Sequence, residues 1–137
     1  MNAKRLLLGF VAGFLATLVG HQPALWLLNL AGLVNRPVYV MTGVPPFGVP
    51  SVISLAFWGG VWGVILVLVW ARKGRGSLLA ATLFGAIFPT LVAVVIVAPL
   101  KGAPAKGGVA MLIAGLIING VWGLVTALLY RGFVRER

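Results

Sequence analysis

Charge breaks this chain into four long uncharged stretches, 6–35, 37–71, 76–100 and 107–130, with Lys and Arg confined to the gaps and ends. Each stretch can hold the ~20 apolar residues that a helix needs to cross a hydrocarbon core of ~30 Å. Small residues recur at helical spacing within them, as in Gly9, Gly13, Thr17 and His21. The pattern predicts four transmembrane helices, at about 5–34, 51–71, 77–98 and 109–131, in a chain read as one integral membrane domain. The first helix should be kinked or broken near 21–23, where Pro23 leaves the Val19 carbonyl without its α-helical donor. Two continuations fit residues 24–34 equally: one helix running through the kink, or a separate interfacial helix.

The connection that follows is the irregular part of the chain. Residues 39–50 read YVMTGVPPFGVP, apolar but too rich in Pro and Gly for a regular helix. Unpaired backbone in lipid costs several kcal/mol per group, so this loop should lie against protein or at the interface. It is expected to lid the external face of the bundle.

Two segments match at a fixed offset. Gly60 to Gly63 and Gly120 to Gly123 both read GVWG, and each is followed by six apolar or small residues and then an aromatic, Trp70 or Tyr130. The offset is 120 − 60 = 60; a weaker match of FLATLV (14–19) with IFPTLV (87–92) has an offset of 87 − 14 = 73. Together they predict a duplicated helical hairpin, a 2+2 parallel repeat about an axis along the membrane normal. The difference between the offsets places extra residues in the external connection of the first half, which runs from His21 to Pro50.

Composition agrees with the pattern: 61% of residues are hydrophobic and 9% charged, far from the roughly 25% charged of soluble domains. The net charge of +10 flanks apolar runs and forms no solvated stripe, so it is read as a topology signal and not as a nucleic-acid surface. Lys4, Arg5, Arg72, Lys73, Arg75, Arg131, Arg135 and Arg137 fall on one side of a four-span arrangement, and Arg36, Lys101 and Lys106 on the other. Eight against three is expected to put both termini in the cytoplasm. The bilayer itself is the first partner implied.

The chain has one acidic residue, Glu136, beside its C-terminus, one histidine and no cysteine. Intramembrane proton coupling, metal ligation and acid/base catalysis lose their usual carboxylate, and no metal or cofactor is expected. His21 is the one side chain in the apolar segments with an ordinary pKa near neutrality, and with Gln22 and Asn119 it is a candidate polar or ligand contact. Trp58, Trp62 and Trp122 lie well inside their helices and are expected in the bundle core, where each indole N–H needs an acceptor. Trp26, Tyr39, Trp70 and Tyr130 suit interfacial belts better. Gly9, Gly13, Gly59, Gly63, Gly85, Gly115 and Gly123 form small-residue stripes suited to close helix packing. Pro89 lies in the middle of the third helix and removes a backbone bond to Gly85.

The segments VPPFGVP (44–50), LAFWGGVWG (55–63), APLKG (98–102) and NGVWGL (119–124) resemble those of a family of short four-span bacterial inner-membrane proteins. The resemblance covers most of the chain and implies location and span count, but no activity. Small four-span multidrug exporters share the size but depend on a glutamate in the first helix, where this chain has only Thr17, His21 and Gln22. The glycine-rich and asparagine pattern of bacterial fluoride channels is not found in a matching arrangement. The expectation is a non-catalytic accessory, assembly or scaffold subunit of a membrane complex, binding other membrane subunits. The alternative is a homo-oligomeric channel or transporter for an uncharged or anionic solute or a hydrophobic ligand.

Overall fold

The computed structural model describes residues 2–71, 76–102 and 108–135. Arg72, Lys73, Arg75, Lys106, Glu136 and Arg137, which enter the charge argument, lie outside the described residues. Among the described residues, four helices are long and apolar enough to cross a membrane: α1 (Ala3–Leu30), α2 (Ser51–Trp70), α3 (Leu78–Leu100) and α4 (Gly108–Arg135). The shortest has 20 residues, which at ~1.5 Å per residue just covers a ~30 Å core. The chain is a multi-pass helical membrane protein.

α1 settles how the chain passes Pro23. Asn2 caps its start, the side chain accepting the Arg5 N–H at 3.1 Å. The helix then widens into one π-turn over Thr17–His21, in which the Gln22 N–H reaches back five residues to the Thr17 carbonyl. Pro23 follows directly, and the wider turn gives its ring room that a regular turn would deny. The helix therefore continues as one rod instead of breaking. It stops at Leu30, short of the expected residue 34, because Gly32 turns left-handed (φ 71°). Leu33 N–H to the Leu28 carbonyl and Gly32 N–H to the Asn29 carbonyl, both 3.0 Å, complete a Schellman stop.

α3 repeats the device. A π-turn at Ala93–Val97 precedes Pro99, with the Ala98 N–H on the Ala93 carbonyl. Ser77 caps the start of α3, accepting the Ala80 N–H at 3.0 Å, and Pro89 stays inside the helix.

α1 pairs closely with α2, α3 with α4, and the two pairs meet along α1 and α4. The close crossings are made by glycine. A Cβ on Gly13 would collide with the Gly59 carbonyl and stand 2.9 Å from the Gly63 Cα. A Cβ on Gly85 would collide with the Asn119 carbonyl and stand 2.8 Å from the Gly123 Cα. Only residues without a side chain let backbones approach this closely, and without a hydrophobic drive in lipid this contact supplies much of the association. Between the pairs, the main buried cluster joins Ala12, Leu66, Val67, Trp70, Ala81, Ala127 and Tyr130. A second cluster of Ala24, Leu25, Ala114 and Ile118 lies toward the other end.

The end carrying Asn2 and Arg135 is the terminal face; the opposite end, carrying residues 31–50, is the loop face. There Asn29 clamps the chain as a backbone mimic, donating to the Arg36 carbonyl at 2.6 Å and accepting its N–H at 3.0 Å. Val34 and Val38 pack on the second cluster. Strands β1 (Gly43–Val44) and β2 (Val49–Pro50) then pair antiparallel, Gly43 opposite Pro50. The Thr42 and Val40 carbonyls accept the Ser51 and Val52 N–H groups at 2.9 and 3.0 Å, so the loop satisfies two of the orphan donors at the start of α2. The expected lid is corrected in part. Residues 34–39 cover the bundle, but the hairpin stands off it, with Met41 67% and Phe47 87% exposed, because its backbone is satisfied by itself and by α2.

Candidate functional site

Three groups of residues carry what chemistry the bundle has. The first is central, on the Gly13 carbonyl. Glycine leaves this oxygen open to the side, and it accepts the Trp122 indole N–H at 3.0 Å and the Thr17 hydroxyl at 3.1 Å besides its helical donor. Thr126 returns its hydroxyl to the Trp122 carbonyl at 2.8 Å. Between α4 and α3, Asn119 donates to the Thr90 hydroxyl oxygen at 2.9 Å. Gly115 lies beside the same residue, where a Cβ would stand 3.1 Å from the Thr90 methyl. Each bond ties helix to helix, or a side chain to its own backbone, as polar groups in membrane helices commonly do.

The three tryptophans do not share one place. Trp122 is buried in the contact of α4 with α1, while Trp62 is half-buried and edge-on to Phe84, ring centroids 6.1 Å apart. Trp58, expected in the core, is 58% exposed and meets Phe57 edge-on at 5.8 Å. The reason is that α2 has one close neighbour, α1, on its Gly59 and Gly63 side, which leaves the Trp58 side facing outward. A cavity walled jointly by these indoles is not formed.

The second group is at the loop end of α1. In the π register the Leu18 carbonyl, not that of Val19, faces the proline nitrogen that has no hydrogen. The Tyr39 hydroxyl supplies the missing donor, to the Leu18 carbonyl at 2.6 Å. The Tyr39 N–H meanwhile donates to Gln22 Oε1 at 2.7 Å, and Gln22 Nε2 lies 3.3 Å from His21 Nδ1. Tyr39 makes both contacts from a left-handed backbone (φ 49°), a conformation costing about 1–3 kcal/mol and held only where the surroundings over-determine it. His21 is thus half-buried against Gln22, and Gln22 is buried. The sequence marked His21 and Gln22; Tyr39 passed for an interfacial aromatic because its link to Leu18 spans 21 residues and depends on the π-turn.

The third group was not foreseen. Trp70 and Tyr130, expected in a belt, are buried against each other at the terminal face, 6.3 Å apart and at 74°. The Trp70 indole N–H donates to the Ser77 carbonyl at 2.8 Å. Arg131 lies over the Trp70 ring, 5.2 Å from its centroid, and donates to the Gly76 carbonyl at 2.6 Å. Arg5 and Arg135 complete the wall of a cavity of about 700 Å³ beside them. The shared offset of Trp70 and Tyr130 from the GVWG segments is the signal that could have paired them. A smaller apolar recess of about 160 Å³ lies among Leu28, Leu33, Ala110, Ile113, Ala114 and Ile117.

Comparison with protein families, with curated proteins and with solved structures finds no match. Four apolar spans among the described residues define the class as a multi-pass helical membrane protein.

Proposed function

We propose that this protein is a non-catalytic, accessory or scaffold subunit of a bacterial inner-membrane complex, with both termini in the cytoplasm. The observation that carries the reading is how the polar groups are spent. Thr17, Gln22, Thr90 and Thr126, the buried polar side chains of the spans, are all hydrogen-bonded within the chain. Among the described residues, no buried side-chain nitrogen or oxygen is left without a partner. An ion or substrate path needs polar groups turned toward the cargo; a packing subunit needs them turned toward its own helices. The apolar hairpin around Phe47, standing off the bundle, offers a partner a contact outside the spans.

A 2+2 duplication underlies the bundle in this reading. Gly63 and Gly123 stand 60 apart and occupy like places in the two glycine crossings, while their partners Gly13 and Gly85 stand 85 − 13 = 72 apart. That is one residue less than the offset of FLATLV with IFPTLV, so contacts favour a pairing shifted by one.

A homo-oligomeric channel or transporter for an uncharged or anionic solute, or a hydrophobic ligand, is the second reading. The two π-turns favour it, since single π-turns concentrate at functional sites. Flux measurements separate the two. Reconstituted vesicles are expected to pass potassium, chloride and glycerol no faster than protein-free ones. A faster flux that His21→Ala abolishes would move the conclusion to transport.

A further inference from the structure

We propose that the cavity on the terminal face is a binding site for a phosphate-bearing anion, and that the anion is the headgroup of an acidic phospholipid. The cavity, about 700 Å³, is lined by Arg5, Arg131 and Arg135 and by Trp70, Ala71, Tyr130 and Val134. Its size falls in the range of small-ligand sites, and its lining joins cations to aromatic and aliphatic surface.

The cations come from two helices, Arg5 from the first turn of α1 and Arg131 and Arg135 from the last turns of α4. Bringing three guanidinium groups around one space is unfavourable unless anions lie between them. Among the described residues there is no acidic side chain to lie between them. An external anion would fill that place, and guanidinium is the side chain best matched to phosphate oxygens.

One wall is already rigid. Arg131 is held between the Trp70 ring and the Gly76 carbonyl, and Trp70 is fixed in turn by Tyr130 and the Ser77 carbonyl. Only one of the five N–H donors of Arg131 is needed for Gly76. Arg5 and Arg135 are exposed and adjustable. A preset wall facing two exposed cations suits a headgroup that enters from the side.

The position selects lipid over a soluble anion. Trp70 ends α2 and Leu78 begins α3, so the cavity lies where the spans emerge, at headgroup level. Its apolar wall of Trp70, Ala71 and Val134 would meet the glycerol and upper acyl chain. Basic pockets between helices at this depth are the usual form of acidic-lipid sites.

The test is lipid retention by the full-length protein in a nonionic detergent, read by native mass spectrometry during titration with phosphatidylglycerol or phosphatidylcholine. The expected result is a preference for phosphatidylglycerol on the order of tenfold. It should be lost in the double variant R5Q/R135Q and kept in K4Q/K101Q, which removes the same charge from residues that do not line the cavity. Arg131 is left intact because it anchors Gly76, and unchanged unfolding midpoints show that both variants fold. No preference, or equal loss in the two double variants, would overturn the site and leave only a general charge effect. Inorganic phosphate added at millimolar concentration should not displace the lipid. Displacement that R5Q/R135Q abolishes would overturn the lipid assignment and make the ligand a soluble phosphate.

Discussion

The indole N–H of Trp122 donates to the carbonyl oxygen of Gly13 at 3.0 Å, across 109 residues and from the last helix to the first. The bond exists because Gly13 has no side chain to screen its carbonyl, and because the same glycine lets α2 approach from another side. Trp122 lies in the second GVWG segment, so one member of the repeated motif joins the two helix pairs.

Trp122→Phe keeps most of the ring and removes the N–H. It is expected to lower stability by about 0.6–1.7 kcal/mol, the range for interhelical hydrogen bonds in membranes. Reversible unfolding in mixed micelles measures this. A cost no larger than that of Trp58→Phe, on the exposed side of α2, would show that the bond is not a tie.

The glycine crossings should resist even one added methyl. Gly13→Ala and Gly85→Ala each set a Cβ against a carbonyl and a neighbouring Cα, and are expected to cost about 1–3 kcal/mol through forced separation of the helices. Gly132→Ala is the control. Nothing lies within 4 Å of its Cβ position, and alanine there is expected to be neutral or to stabilise α4 by about 0.5–1 kcal/mol. The same unfolding titration ranks all three variants.

Four spans and the glycine stripes were legible because both depend on local spacing: uncharged runs of sufficient length, and small residues every four positions. What was not legible depends on neighbours. Trp58 and Trp62 share a helix, and Gly59 and Gly63 mark the face of α2 that meets α1, but how far the other helices cover its remaining faces depends on their placement. In the α register Pro23 fits a kink or a break alike; a π-turn shifts the orphaned carbonyl from Val19 to Leu18 and recruits Tyr39. Trp70 and Tyr130 looked interfacial singly and became buried by facing each other.

The Tyr39 contact should depend on the proline. Tyr39→Phe removes the donor to the Leu18 carbonyl and is expected to cost about 1 kcal/mol, with faster hydrogen exchange over 38–50. In a Pro23→Ala background, residue 23 regains an N–H and the helix can satisfy its own carbonyls. The cost of Tyr39→Phe should then shrink to a few tenths of a kcal/mol. An equal cost in both backgrounds would break the link between the π-turn and the loop.

Indole exposure can be read directly. In single-tryptophan variants reconstituted with brominated lipid, Trp58 should be strongly quenched and Trp122 hardly at all, since one is 58% and the other 3% exposed. Protection of Trp58 in purified protein would mean that its face is covered by a second copy of the chain.

The most direct test of the subunit reading is the composition of the complex that the protein forms at its native level. A tagged chain, extracted in mild detergent and weighed intact by native mass spectrometry, is expected to carry a different membrane protein at a fixed stoichiometry. That ratio should fall when the hairpin variant Phe47→Ser replaces the native chain, while the four-span fold is kept. A particle containing only copies of this chain, unchanged by Phe47→Ser, would contradict the account.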